Sequence, residues 1–126
     1  MAKKKNLPAV SWLDAPEDHN FPAAKSYLAL VVSEREAGRI SAALKRARLS
    51  HFKAKDIFRA SGLSLLGVSN AHVEKDRDKI RRGKALSPIL LVRDSARGKV
   101  IVADGYHRLC AVYSFDEDAV VPCRIV

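Results

Sequence analysis

The stretch Asp104-Gly105-Tyr106-His107-Arg108 constrains this chain more than any other part of it. An apolar, strand-like run, Lys99-Val100-Ile101-Val102-Ala103, leads into it, and a helix-like run, Leu109-Cys110-Ala111-Val112-Tyr113, leads out. A strand that turns at a glycine into a helix leaves the first backbone N–H groups of that helix without partners. The helix macrodipole then makes that end favourable for an anion. His107 and Arg108 fall in the first turn, where two cations are unfavourable for helix stability alone. As ligand donors they suit phosphate or carboxylate. The motif therefore reads as an anion site, with Gly105 allowing the tight turn and the close approach of a ligand.

The rest of the chain supplies a frame for that turn. Residues 1–20, with Pro8 and Pro16, read as an irregular arm that Trp12 and Leu13 pin to the body. Pro22 suits the first position of a helix, and the run 23–32 follows it. Ser33-Glu34-Arg35-Glu36 is a capping-box pattern, so either a second helix starts there or one long helix bends. Ala37, Ile40, Ala43, Leu44 and Ala47 recur at helical spacing. A short strand near Phe52 leads to a helix over 54–60 that Gly62 stops. Leu63, Leu65, Leu66 and Val68 are expected to be buried. Asn70 caps a helix over 72–82, which Gly83 ends. Pro88 then precedes a strand, Ile89-Leu90-Leu91-Val92, and a hairpin loop over 94–98 returns the chain as Val100-Ile101-Val102. Asp116-Glu117-Asp118 form an acidic loop. The last strand spans 119–126, and its Pro122 argues that it or its start lies at a sheet edge.

Length and charge narrow the class. A chain of 126 residues, 48% of them hydrophobic, is expected to fold as one domain with a real core. The net charge is +9 and is unevenly placed: residues 51–100 carry twelve Lys or Arg against five Asp or Glu, while residues 101–126 carry two against four. The basic middle third can form a patch for nucleic acid or another polyanion, or simply a solvated surface. Lys3-Lys4-Lys5 reads as a flexible basic tail, with a nucleic-acid arm as the other reading; Asp14, Glu17 and Asp18 follow too soon for a signal peptide. No apolar run approaches the roughly 18–20 residues that cross a bilayer, so no membrane partner is expected. Cys110 and Cys123 are too few for a secreted disulfide framework, and a cytoplasmic protein is expected. His107 and Cys110 share a helix face, but the second ligand pair a zinc site needs is missing, so no metal is assigned to them.

From about Lys53 onward the order of features resembles the ParB/sulfiredoxin superfamily. The residues that carry the resemblance are Ile80-Arg81-Arg82-Gly83, Pro88-Ile89-Leu90-Leu91-Val92, the run from Val100 through Asp104-Gly105-Tyr106-His107-Arg108 to Ala111, and Val121-Pro122-Cys123-Arg124-Ile125-Val126. The resemblance covers more than half the chain, and it implies nucleotide phosphate binding at Gly105, His107 and Arg108. Tyr106 stands where partition-type ParB proteins carry a glutamate implicated in cytidine triphosphate hydrolysis, and where sulfiredoxins carry their nucleophilic cysteine. The turn is most similar to the Asp-Gly-His-His-Arg form of a free-serine kinase branch, with Tyr106 in place of the first histidine. With no room after the last strand for the helix-turn-helix and dimerisation domains of partition proteins, a single-domain relative is expected rather than a complete partition protein, and the missing glutamate moves weight from hydrolysis towards binding.

These readings give an α+β expectation: a small mixed sheet with surrounding helices over 50–126, preceded by a helical pair over 21–49. His72, Lys75 and Lys79 lie at i, i+3 and i+7, so one helix face presents three potential cations, either to a triphosphate opposite the glycine turn or to solvent, balanced by Glu74, Asp76 and Asp78. Arg108 is the principal anion contact, with an ion pair to Asp104 or Asp56 as its other reading. His107 is a phosphate donor, a general acid or base, or a satisfied histidine. Tyr106 stacks on a base, donates its hydroxyl, or packs. Asp104 holds Mg²⁺ beside a phosphate or caps the helix. Asp56, Glu74, Asp104 and His107 are the candidates for acid–base chemistry. The expected partner is a nucleotide or other phosphorylated ligand, such as a nucleoside triphosphate with Mg²⁺. DNA association and a homo-oligomer also stand open, as do phosphotransferase, nucleotide hydrolase and nuclease activities. No helix-turn-helix signature supports specific DNA reading.

Overall fold

The computed structural model describes residues 8–67 and 69–126, so Lys3-Lys4-Lys5 and Val68 lie outside the described residues. Within these, five helices and a four-stranded mixed sheet form an α+β architecture. In chain order the elements are α1 (Asn20–Leu28), α2 (Glu34–Arg46), β1 (Leu49–Lys53), α3 (Ala54–Ser61), α4 (Ala71–Arg81), β2 (Ile89–Asp94), β3 (Lys99–Asp104), α5 (Tyr106–Phe115) and β4 (Val120–Ile125). The strand order is β1-β4-β2-β3, with β2 and β4 parallel and the other two pairings antiparallel.

Local chemistry explains most of the boundaries. Ser33 Oγ accepts the Glu36 N–H at 3.1 Å, which starts α2 as a separate helix. Asn70 Oδ1 accepts from the N–H groups of His72 and Val73 and so starts α4. Gly62 ends α3 in the left-handed region at φ 67°. Helix α1 begins at Asn20, two residues before Pro22. Proline is tolerated there because first-turn N–H groups have no helical acceptor.

The sheet is covered on both faces, which is why β2 has no polar alternation. Ile89 and Leu91 point into a cluster with Ile57 of α3, Val73 and Ile80 of α4, and Leu109 and Val112 of α5. Leu90 and Val92 point the other way, into Phe21, Ala24 and Leu28 of α1 and Ile40 and Leu44 of α2. A continuous apolar strand is the sequence form of such double coverage.

Three expectations are corrected by tertiary structure. First, β4 as a whole is an interior strand, and of the two readings of Pro122 only the narrower holds: the start of the strand, 120–122, pairs with β1 alone. The parallel ladder to β2 begins one residue later, at Ile89 opposite Cys123, so the missing N–H falls ahead of that ladder. Second, Leu63 and Leu65 are exposed; the segment 63–67 is irregular and turns only Leu66 against the core. Third, Trp12 packs on the core but Leu13 does not: the arm is pinned by a short parallel bridge to Leu86 through backbone bonds of Ser11 and Leu13, leaving the Leu13 side chain exposed.

Candidate functional site

The hairpin register delivers the turn to the site. Leu90 pairs with Asp104 and Leu91 with Val102, so Ala103 is an extra, unpaired residue in β3. Such a bulge bends the strand and re-aims the residues beyond it. The strand ends one residue later, and Gly105 turns the chain at φ 105°, in a region open mainly to glycine. A Cβ on Gly105 would come within 2.9 Å of both Arg108 Nη2 and Ile89 Cγ1, so space and backbone both demand glycine here. No side chain caps the start of α5, which leaves its first-turn N–H groups without a side-chain acceptor.

Helix α4 packs against α5 and brings its polar face across from that start. The resulting cleft has a volume of about 250 Å³. It brings together His72, Lys75 and Lys79 from α4 with Asp104, Gly105, Tyr106, His107 and Arg108 from the turn. The His72 and His107 rings stand 4.9 Å apart, tilted by 44°. Beyond the shared core of Val73, Ile80, Leu109 and Val112, the far end of α5 is tied to α4 by Arg77, which donates to Ser114 Oγ and lies 4.1 Å over the Phe115 ring.

Arg108 is committed inside the protein. Its Nε donates to the Ser87 carbonyl at 2.9 Å, and its Nη2 donates to the Pro88 carbonyl at 3.3 Å and to Asp104 Oδ2 at 3.0 Å. Both partners of this ion pair are only 17% exposed. Asp104 is therefore an ion-pair partner and not a helix cap. A magnesium ion bound by Asp104 would have to compete with a guanidinium already on the carboxylate, so the residues present do not fit a resident metal there. Among the described residues no cluster of three or more His, Cys, Asp or Glu side chains could hold a metal ion.

The other candidates separate by position. Asp56 sits on α3 beside a different cavity and pairs with Arg59 at 3.4 Å. Glu74 pairs with Arg77 and Arg81 on the face of α4 that does not line the cleft. Tyr106 donates its hydroxyl to the Ser64 carbonyl, tying the 63–67 segment to the start of α5, with its ring 5.7 Å from that of His107. Cys110 is fully buried beneath the turn, and burial pushes its thiol up, against smaller opposing effects from the Leu66 backbone and Tyr106. Cys123 is likewise buried, its thiol pushed up to about 12 by burial.

Three titratable residues in the cleft are not legible as site residues in the sequence. Glu17 and His19 arrive from the arm, which is held by Glu17 N–H bonds to Asn20 Oδ1 and Ser87 Oγ. Asp76, which sequence spacing assigns to a solvated charge balance, has its side chain 13% exposed in the cleft, 4.0 Å from Lys79. Burial raises the Asp76 pKa, and the nearby cations Lys79, Arg108, His107 and Lys75 only partly offset it.

A larger cavity, of about 630 Å³, lies elsewhere, between α2 and the β2–β3 hairpin. It is floored by Leu28, Ile40, Val92 and Ile101, and its Arg39 and Arg97 are engaged by Glu36 and Asp94. Arg93 also lines it, but the lining holds no lysine or histidine, two of its three arginines are engaged by carboxylates, and the floor is apolar, so size and chemistry disagree here, and chemistry selects the smaller cleft. No protein-family model, curated protein or solved structure matches the chain.

This geometry has two measurable consequences. Arg108→Ala leaves the shielded Asp104 carboxylate without its partner and should cost about 2–3 kcal/mol in urea unfolding, at the low end for a broken buried pair because some solvent reaches it. Asp76→Asn should raise the melting temperature near neutral pH. A carboxyl whose pKa is raised by folding contributes stability below its unfolded value and loses it as pH rises through the folded value. The difference between variant and wild type should therefore close in acid, below the ordinary carboxylate range. A variant that melts lower at neutral pH would contradict the placement of Asp76.

Proposed function

We propose that the protein binds a phosphorylated small molecule, in the first instance a nucleotide, in the cleft between α4 and the start of α5. The observation that carries this reading is the convergence of His72, Lys75 and Lys79 with His107 around an uncapped helix start, from segments some thirty residues apart in sequence. The ParB/sulfiredoxin resemblance implies the same ligand class at the same turn. Lys75 makes no ion pair among the described residues, and Lys79 meets Asp76 only at 4.0 Å, so both ammonium groups are available to an anion. In this reading the turn's backbone N–H groups, the two lysines and the two imidazoles contact phosphate. Arg108 holds the turn in shape.

Binding is favoured over turnover. Of the acid–base candidates, Asp56 and Glu74 lie outside the cleft and Asp104 is held by Arg108; only His107 stays in it, in the role of a phosphate contact, and Tyr106 stands where similar turns carry a reactive side chain. A small ligand is favoured over duplex DNA, because Arg59, Arg81, Arg82 and Arg97 of the basic middle third each face a carboxylate and form less of an open patch than net charge suggests. No helix among the described residues is long and apolar enough to cross a membrane. Buried, unpaired Cys110 and Cys123 support a reducing, cytoplasmic setting.

The test is thermal-shift binding with tripolyphosphate and nucleoside di- and triphosphates, with and without Mg²⁺, on wild type and the Lys75→Ala/Lys79→Ala double variant. A ligand at about 100 times its dissociation constant should stabilise wild type by roughly 2.7 kcal/mol. The shift should be lost in the double variant, in which no core residue has been changed. No shift with any phosphate, or an equal shift in the double variant, would overturn the reading.

A further inference from the structure

A second cavity, of about 430 Å³, lies on the other side of the same turn. Asp104, Gly105, Tyr106 and His107 line both cavities, so the start of α5 is a wall between them. The chemistry of the two sides differs. The first is lined by lysines, histidines and carboxylates; the second by Ala23 and Tyr27 of α1, Leu63, Val102 and Ala103. Tyr27 is 43% exposed and Leu63 40% exposed at its mouth. Large apolar side chains held in water around a concavity, directly beside a cationic cleft, are what a ligand with an apolar part would cover.

We infer that this second cavity receives the nucleobase of the ligand whose phosphates lie in the cleft, so that the protein recognises a two-part molecule across the Gly105 turn. This rests on the phosphate-binding reading above and adds the part of the ligand that phosphate chemistry leaves open. Tyr27 offers a flat ring on a helix outside the sheet, suited to stacking on a base, and every base has a π-face for it. Leu63 closes the opposite side, and its loop is fixed by the Tyr106 hydroxyl bond to the Ser64 carbonyl. Asp104 keeps one carboxylate oxygen that Arg108 does not take, an acceptor on the shared wall for a hydroxyl or amino donor. The exposure of Leu63 and the seating of α1 against β3 thereby gain a common purpose.

The experiment is calorimetric titration of wild type, Tyr27→Ala, Tyr27→Phe and Leu63→Ser with tripolyphosphate and each of the four ribonucleoside triphosphates. Wild type should bind at least one nucleotide roughly tenfold or more tighter than tripolyphosphate, the scale of one stacking contact. Tyr27→Ala and Leu63→Ser should lose that surplus while keeping wild-type tripolyphosphate affinity, which also reports an intact fold. Tyr27→Phe should retain the surplus. Nucleotides that bind no tighter than tripolyphosphate, or a surplus unchanged in Tyr27→Ala, would overturn the base cavity while leaving the phosphate cleft standing. Failure of tripolyphosphate and nucleotides alike would instead overturn the phosphate reading, and the base cavity with it.

Discussion

The guanidinium of Arg108 joins three pieces of chain that carry the site. Through the Ser87 and Pro88 carbonyls it grips the approach to β2, and through Asp104 it grips the end of β3. Ser87 in turn donates to Asn20 at the start of α1 and accepts from the Glu17 backbone. One side chain thus connects the arm, the sheet and the first turn of α5. A cation at a helix start opposes the macrodipole, and three acceptors offset that cost. The side chain that first suggests an anion contact is in this way a support for the surface that makes one.

Around that support the cleft has a divided electrostatic character. Lys75, Lys79 and His72 share the cleft with His107 and an uncapped helix end, which favours a negative ligand. Asp76 is pressed into the same space, where burial works against its charge. A strained carboxyl of this kind costs stability and persists where function or neighbouring groups hold it. The two core clusters on opposite faces of the sheet keep α4 and α1 on their respective sides of the glycine turn, so the polar cleft and the apolar cavity are consequences of one sheet covered on both faces.

The features legible in the sequence are local ones. Ser33, Asn70 and Gly62 mark helix ends because capping is settled within three or four residues. The glycine turn is legible for the same reason, and the i, i+3, i+7 spacing of His72, Lys75 and Lys79 puts them on one face without any tertiary knowledge. The misses are all tertiary. Pro122 leaves open whether the whole strand or only its start is at an edge, and the offset of the β2 ladder decides for the start. Leu63 and Leu65 are hydrophobic by composition, but the segment that carries them lies over the site's rim. Asp76 belongs to a surface charge pattern in sequence and to the cleft in space, and Asp56 and Glu74 are the reverse. Glu17 and His19 enter only because backbone bonds to Leu86 and Ser87 bring the arm to the cleft.

A two-dimensional ¹H–¹⁵N NMR titration of the full chain with pyrophosphate puts the anion cleft to the sharpest test. The largest amide shifts are expected at Gly105, Tyr106, His107 and Arg108, with a second group at residues 72–79 of α4, while the α2 and β2–β3 hairpin amides stay still. Shifts concentrated around Arg39, Arg93 and Arg97, or none at the glycine turn at saturating pyrophosphate, would contradict an anion site at the start of α5.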